Sequence, residues 1–282
     1  ARLVPQGARL ADVGTDHGYL PVWLLMNGGI ERAIAADLRE GPLGRARKTA
    51  RQYGQSEKIS FRLCDGLTDI SPDEVDVITI AGMGGETIAS ILEAAPWTQR
   101  DKLLLLQPMT GAPRLRPWLQ KHGYSILAET ICREGKKYYS IWTVKGGHMA
   151  ALSPAEEWAG VNCDEPLRLD YLAMIERKAE KALQGHQAAQ APDKAAIVRL
   201  ETVLTGLRDM KKELKPMTTV GNVFTYLQEK APFELQEGFD NAGFLVGREG
   251  TDVSKILVSL DITEQVVQEA VDQGAQLIVA HH

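Results

Sequence analysis

Carboxylates and glycines crowd one short turn near the start of the chain: Asp12, Gly14, Thr15, Asp16, His17 and Gly18, within Leu10–Pro21. An apolar lead-in, a Gly-punctuated turn and a helix start are how a parallel-sheet nucleotide fold builds its first cofactor loop. Gly14 and Gly18 are four apart, which is not the dinucleotide fingerprint. The carboxylates of Asp12 and Asp16 would repel a pyrophosphate and accept a cationic ligand such as S-adenosyl-L-methionine (SAM). Gly14, Thr15 and Gly18 let the backbone approach the methionine part, and a carboxylate in the turn can hold its ammonium.

Three further positions extend the pattern. Asp37 closes Ala33-Ile34-Ala35-Ala36-Asp37 and can accept hydrogen bonds from ribose hydroxyls. Asp65-Gly66 follows Phe61-Arg62-Leu63-Cys64, where a side chain can bond an adenine amine. Ile80-Ala81-Gly82-Met83-Gly84-Gly85 ends a fourth strand-like run, the place where target bases sit in nucleic-acid methyltransferases. Taken singly, Asp12 and Asp37 read as a helix cap or a turn, and Gly82, Gly84 and Gly85 as a tight strand-to-helix turn. Their order and spacing together point to a SAM-binding sheet.

Alternating elements must position these residues. Strand patterns fall at Arg9–Val13, Arg32–Asp37, Ile59–Leu63, Val75–Ala81, Lys102–Gln107, Ser125–Ile131 and Tyr138–Val144. Helical patterns fall at Tyr19–Met26, Pro42–Tyr53, Gly85–Ala94 and Pro113–His122. Such alternation predicts an α/β fold with a mostly parallel sheet. The last two strands are separated only by Cys132–Lys137, a closing hairpin typical of class I SAM-dependent methyltransferases with a Rossmann-like domain. The expected domains are 1–150, this sheet; 151–216, an α-helical coiled-coil hairpin; and 217–282, a truncated α/β fragment. In the second, helical spacing runs from Leu167 to Leu183 and from Ala195 to Leu214, with Gly185–Pro192 between them. The third carries a helix from Met217, a strand at Ile256–Leu260, a helix at Glu264–Gln273 and a strand at Leu277–Ala280.

The net charge of −5 is unevenly spread: residues 1–150 hold 19 Lys/Arg against 16 Asp/Glu, and residues 217–282 hold 3 against 10. A mildly basic first domain permits an anionic polymer as substrate. Three widely spaced cysteines without a CxxC read as reduced thiols in a cytoplasmic protein. No apolar run is long enough to cross a bilayer. The start Ala1-Arg2-Leu3-Val4-Pro5 is neither a signal peptide nor a natural initiator and reads as a chain lacking its true N-terminus.

Asp12-Val-Gly-Thr-Asp16-His17-Gly-Tyr-Leu-Pro21, Ile80-Ala-Gly-Met-Gly-Gly85 and Leu106-Gln107-Pro108, followed by a helical hairpin, resemble the TrmK family over roughly residues 1–215. These are bacterial SAM-dependent methyltransferases that act on adenine N1 at position 22 of tRNA. The resemblance implies tRNA as partner and SAM as cofactor; the methyltransferase portion is expected to be a monomer. The family's helix ahead of the first strand is missing, and Met109 follows Gln107-Pro108 where Asn is common. Adenine N1 attacks with an in-plane lone pair, so no base is needed, but the product is a cation that a carboxylate would stabilise. Asp16 matches the acidic position that the family implies is functional and is expected to be the catalytic group; its competing role is the N-cap of the helix starting near Tyr19. His17 either borders the target pocket or satisfies the turn. Met83, Gly84, Gly85, Gln107 and Pro108 are expected on the target side. Arg45 and Arg47, with Arg39, Lys48, Arg51, Arg114 and Arg116, either hold the RNA backbone or form a solvated face.

Met217-Thr-Thr-Val-Gly, Phe239-Asp-Asn-Ala-Gly-Phe-Leu-Val-Gly247, Val258-Ser-Leu-Asp261 and His281-His282 resemble the start of the dinuclear-metal family called GTP cyclohydrolase type 2-like. The resemblance implies that His281 and His282 belong to a metal site whose other ligands are absent, so no stable metal centre is expected. Two alternatives stand beside the main reading: a methyltransferase acting on another RNA or a small molecule, and a metal-binding scaffold protein led by the C-terminal fragment.

Overall fold

The computed structural model describes residues 1–161, 163, 166–214, 218–232 and 242–281. The chain divides into two compact units, Ala1–Leu214 and Lys215–His282. In the first, β1 (Ala8–Val13), β2 (Ile30–Asp37), β3 (Ile59–Leu63), β4 (Val77–Gly84), β5 (Leu103–Thr110), β6 (Tyr124–Glu134) and β7 (Lys137–Gly146) form one sheet. Its order is β3-β2-β1-β4-β5-β7-β6. Every pairing among β1 to β5 is parallel, and β7 runs antiparallel to β5 and β6. The chain leaves β1 towards β2 and β3 on one side and later returns to β4 and β5 on the other. The crevice between the C-terminal ends of β1 and β4 is therefore the topological switch point, where open α/β sheets bind ligands.

Helices α1 (Tyr19–Met26), α2 (Glu40–Gln52), α3 (Gly85–Ala94) and α4 (Ala112–Lys121) cover the sheet. Strands covered on both faces read as continuous apolar runs instead of alternating ones. One core layer joins Ile78, Ile80, Leu104 and Leu106 to Ile88 and Leu92 of α3 and Leu115 and Leu119 of α4. The opposite layer joins Leu10, Ala33, Ala35, Val77 and Leu105 to Val22, Leu24 and Leu25 of α1 and Ala50 of α2. In α2 the buried positions Pro42, Leu43, Ala46, Thr49 and Ala50 recur at helical spacing, so Arg45, Lys48 and Arg51 fall on the exposed face.

Beyond the sheet come α5 (Pro154–Ala159), α6 (Arg168–Gln187) and α7 (Lys194–Leu214). Ser153 starts α5 with a reciprocal capping box to Glu156. Leu172, Ile175 and Ala179 of α6 meet Val203, Leu204 and Leu207 of α7, and the cluster closes on Ile131 of β6 and Ala155 and Ala159 of α5. Arg208 and Lys211 pair with Glu176 across α6 and α7. Gly185, expected in the connection, lies exposed in the last turn of α6, where one glycine carries only a modest helix penalty.

In the second unit α8 (Val220–Lys230) is capped by Thr219 and Asn222, α9 (Glu264–Gln273) by Thr263, and β10 (Ile256–Ser259) pairs in parallel with β11 (Leu277–Ala280). A two-residue ladder joins β8 (Thr218–Thr219) to β9 (Asp252–Val253). Met217, Phe239, Asp240, Asn241 and His282 lie outside the described residues.

Candidate active site

Backbone pairing sets the site. Gly14 N and Thr15 N both donate to Ala36 O, at 2.8 and 3.1 Å, which ties the first loop to the end of β2 beside Asp37. Cys64 N donates to Asp37 O at 3.1 Å, which brings the Asp65-Gly66 turn to the same edge. Asp12 stands opposite Thr79 of β4, and Ala81 opposite Gln107 of β5. The first loop, Asp37, Asp65-Gly66 and Ala81-Gly82 thus lie along one edge of the sheet.

Asp12 is a buried carboxylate. Thr79 Oγ1 donates to Oδ1 at 2.6 Å and Thr15 Oγ1 to Oδ2 at 2.7 Å. Burial pushes its carboxyl above the usual range, and the two hydroxyls oppose that shift. With a hydroxyl on each oxygen, Asp12 orders the loop from beneath. Thr79 was missed, although a hydroxyl in the apolar run Val77-Ile78-Thr79-Ile80 was a visible signal.

Asp16 is exposed and its backbone is left-handed, with φ 46°. It does not cap α1: the N-cap is Gly18, with φ 67° and no side-chain hydrogen bond. The Asp16 carboxylate instead meets Arg45 of α2, whose Nη2 donates to Oδ1. His17 Nε2 stands 3.6 Å from Oδ2. The Arg45 hydrogen bond holds the Asp16 carboxyl below its ordinary value, so it is ionised at neutral pH. The His17 ring stacks on Tyr19, 5.2 Å between centroids and 4° from coplanar.

The glycines have distinct roles. Gly14 and Gly82 have φ 73° and 76°, conformations that side chains rarely adopt. A Cβ on Gly14 would lie 2.2 Å from Met83 Cε, whereas one on Gly82 would meet nothing within 4 Å. Met83 of β4 thus closes over the first loop, and the backbone at Gly82 is open. Gly82 N donates to Gln107 Oε1 at 2.9 Å, and Gln107 Nε2 lies 3.4 Å from Met109 Sδ. This fixes the ends of β4 and β5 side by side, with Met83 opposite Pro108 and Gly84 opposite Thr110. Gly85, expected on the target side, is buried, and a Cβ there would lie 2.9 Å from Gly111 O, so its lack of a side chain lets the starts of α3 and α4 meet.

Asp37 Oδ1 accepts from Arg39 N at 3.0 Å, which pins the turn into α2. Asp65 is exposed beside Gly66, which has φ 59° and packs on Ile91. Arg47 pairs with Glu40 and lies 5.4 Å over the Phe61 ring. Arg114 is exposed and pairs with Glu86 at 2.5 Å. Arg116, expected as a possible RNA contact, is fully buried in an ion pair with Glu129 at 2.7 Å and cannot reach an RNA. His281 N donates to Ser259 O and Leu260 O at the end of β11.

Residues 1–142 match the family described as Methyltransferase domain. The tRNA (adenine(22)-N(1))-methyltransferase of Bacillus subtilis (strain 168) is 41% identical over 152 residues, which are 52% of this chain and 62% of that protein, so the chain spans less than two thirds of this curated relative. The solved B. subtilis m1A22 tRNA methyltransferase TrmK is 30% identical with a TM-score of 0.60, covering 75% of this chain and 92% of that one. A Streptococcus pneumoniae candidate tRNA (m1A22) methyltransferase, solved in complex with S-adenosyl-L-methionine, is 38% identical with a TM-score of 0.61, covering 72% and 95%. Residues 218–282 match the family described as Duf34/NIF3 (NGG1p interacting factor 3). A 63-residue stretch is 43% identical to the GTP cyclohydrolase 1 type 2 homolog of Clostridium perfringens (strain 13 / Type A) and covers 24% of it. The switch-point loop, the closing β6–β7 hairpin and these likenesses agree: the chain belongs to the methyltransferase-domain family and, within it, to the tRNA m1A22 methyltransferases.

Proposed function

We propose that this protein methylates N1 of the adenine at position 22 of tRNA, in the cytoplasm, with SAM as methyl donor. The observation that carries the reading is Asp16, an exposed carboxylate paired with Arg45 in the loop at the sheet's switch point.

The residues fit the cofactor. Gly14 and Gly82, with left-handed backbone, edge the crevice, Gly18 and Gly66 turn its loops tightly against Ala46 and Ile91, and Asp16 and Asp65 are exposed along it, carboxylates suited to a cation and its hydroxyl and amine groups. Gly14, Thr15 and Gly18 would pass beside the methionine part, with Asp12 holding their loop. Asp37 would take the ribose, Asp65 and Gly66 the adenine of the cofactor, and Ala81 and Gly82 the side nearest the methyl. When bound, SAM supplies an electrophilic methyl on a sulfonium.

Every other element of the reaction falls to the chain. The target adenine has to leave its stack to reach the site, and Met83, Gly84, Gln107 and Pro108 edge the space that would receive it. N1 needs no deprotonation, since its lone pair lies in the ring plane. Asp16 would accept a hydrogen bond from the exocyclic amine, orienting the ring, and would balance the positive charge that develops as N1 gains its methyl. His17 would flank the same carboxylate. Arg45, on the exposed face of α2, and the half-buried Arg47 beside Phe61 would meet the RNA backbone.

Asp16→Ala tests the assignment. It is expected to leave SAM affinity within about twofold and to lower kcat by roughly 10²–10³, the scale for losing one preorganised electrostatic group. Collapse of SAM binding with the same variant would move Asp16 to the cofactor and remove the assignment.

A further inference from the structure

The pairing of Arg45 with Asp16 poses a problem for the reaction just proposed, and its solution rests on that proposal. The methylated adenine is a cation, and so is Arg45. Both would claim one small carboxylate that already faces His17 from its own loop and Arg39 from the turn before α2. Packing does not hold Asp16 in place: its side chain is 57% exposed, and Arg45 is itself 47% exposed on a helix face that also carries Lys48 and Arg51. A guanidinium with this freedom, among other cations, suits a phosphate as well as it suits a carboxylate, since both present the paired oxygens its planar fork matches.

We infer that Arg45 exchanges partners on substrate binding: it holds Asp16 in the free enzyme and passes to a backbone phosphate of the bound RNA as the target adenine takes its place on the carboxylate. The exchange keeps the exposed, left-handed Asp16 ordered before the substrate arrives. It also removes a competing positive charge from the carboxylate when the adenine becomes cationic, and it couples that release to the presence of an RNA backbone. A free adenine nucleoside, having no phosphate, would leave Arg45 on Asp16. Arg45 is thus a positioning residue that helps select a polymer substrate.

A binding cycle on the full chain tests this without turnover. The probe is unmodified tRNA with an abasic site at position 22, which removes any contact between Asp16 and the base. Affinity is measured for the unaltered protein, Asp16→Asn, Arg45→Gln and the double variant, with SAM affinity as the folding control. If Asp16 restrains Arg45, Asp16→Asn frees the guanidinium and tightens binding about three- to tenfold, within the usual coupling of residues in contact. In the Arg45→Gln background the same change alters binding less than about twofold, which isolates Arg45 from the general effect of removing a negative charge. Arg45→Gln also lowers the slope of log affinity against log salt by about one, for one lost phosphate contact. An additive cycle, or an unchanged salt slope, overturns the exchange. If Asp16→Ala leaves methylation of intact tRNA unaffected, the underlying role of Asp16 fails instead.

Discussion

Replacing Arg116 by Met is expected to destabilise the first unit more than almost any other single change to a charged residue. The guanidinium is fully buried. Its Nη2 and Nε donate to Glu129 at 2.7 and 3.1 Å, its Nη1 donates to the carbonyls of Glu157 and Trp158 at 2.8 and 3.1 Å, and it lies 4.2 Å over the Trp142 ring. Met fills much of the volume and restores none of these bonds. Among the described residues, Glu129, itself 1% exposed, would keep Ser140 Oγ at 3.1 Å and Val161 N at 2.9 Å. Removing one partner of a buried pair costs about 3–5 kcal/mol, because the other charge stays buried alone. For a unit of this size that corresponds to a fall in Tm of about 10 °C. Urea unfolding of the variant and the unaltered protein, followed by tryptophan fluorescence, measures the loss. A loss below about 1 kcal/mol would refute the reasoning. The double variant Arg116→Met/Glu129→Leu should recover part of the loss, as apolar replacements of buried pairs do.

Two further outcomes concern backbone strain and acid stability. Gly160→Ala should cost at least about 2 kcal/mol, because Gly160 has φ 85° and a Cβ there would lie 2.1 Å from Glu129 Oε1; thermal melting checks it, and an unchanged Tm would show that the α5 junction yields. Asp76 is held down at about 2, chiefly by the hydrogen bond from the Arg9 guanidinium; a depressed folded-state value adds stability above the ordinary carboxylate range and loses it as pH falls from about 4 to about 2. Melts across that window should flatten in Asp76→Asn, and an unaltered acid slope would contradict the pairing.

Much of the site was legible because its signals are local. Asp12 to Gly18, Asp37 and Asp65-Gly66 each sit at a strand end, and buried parallel strands announce themselves as apolar runs. What stayed hidden depends on distant partners. An arginine on a helix reads as solvated, and nothing in the spacing around Arg116 points to Glu129 in β6 or to the carbonyls ending α5. Gly85 reads as clearance for a base until Gly111 is seen against it. The competing role of Asp16, a helix cap, rests on residue type alone, but the left-handed backbone at Gly18 starts α1 without a side-chain cap, and the Asp16 carboxylate meets Arg45.

The most direct test of the central claim is to incubate the full chain with methyl-labelled SAM and unmodified tRNA, then digest and map the product nucleosides. The account predicts 1-methyladenosine at position 22 and its loss in Asp16→Ala. Measurable SAM binding with no 1-methyladenosine at that position would contradict it.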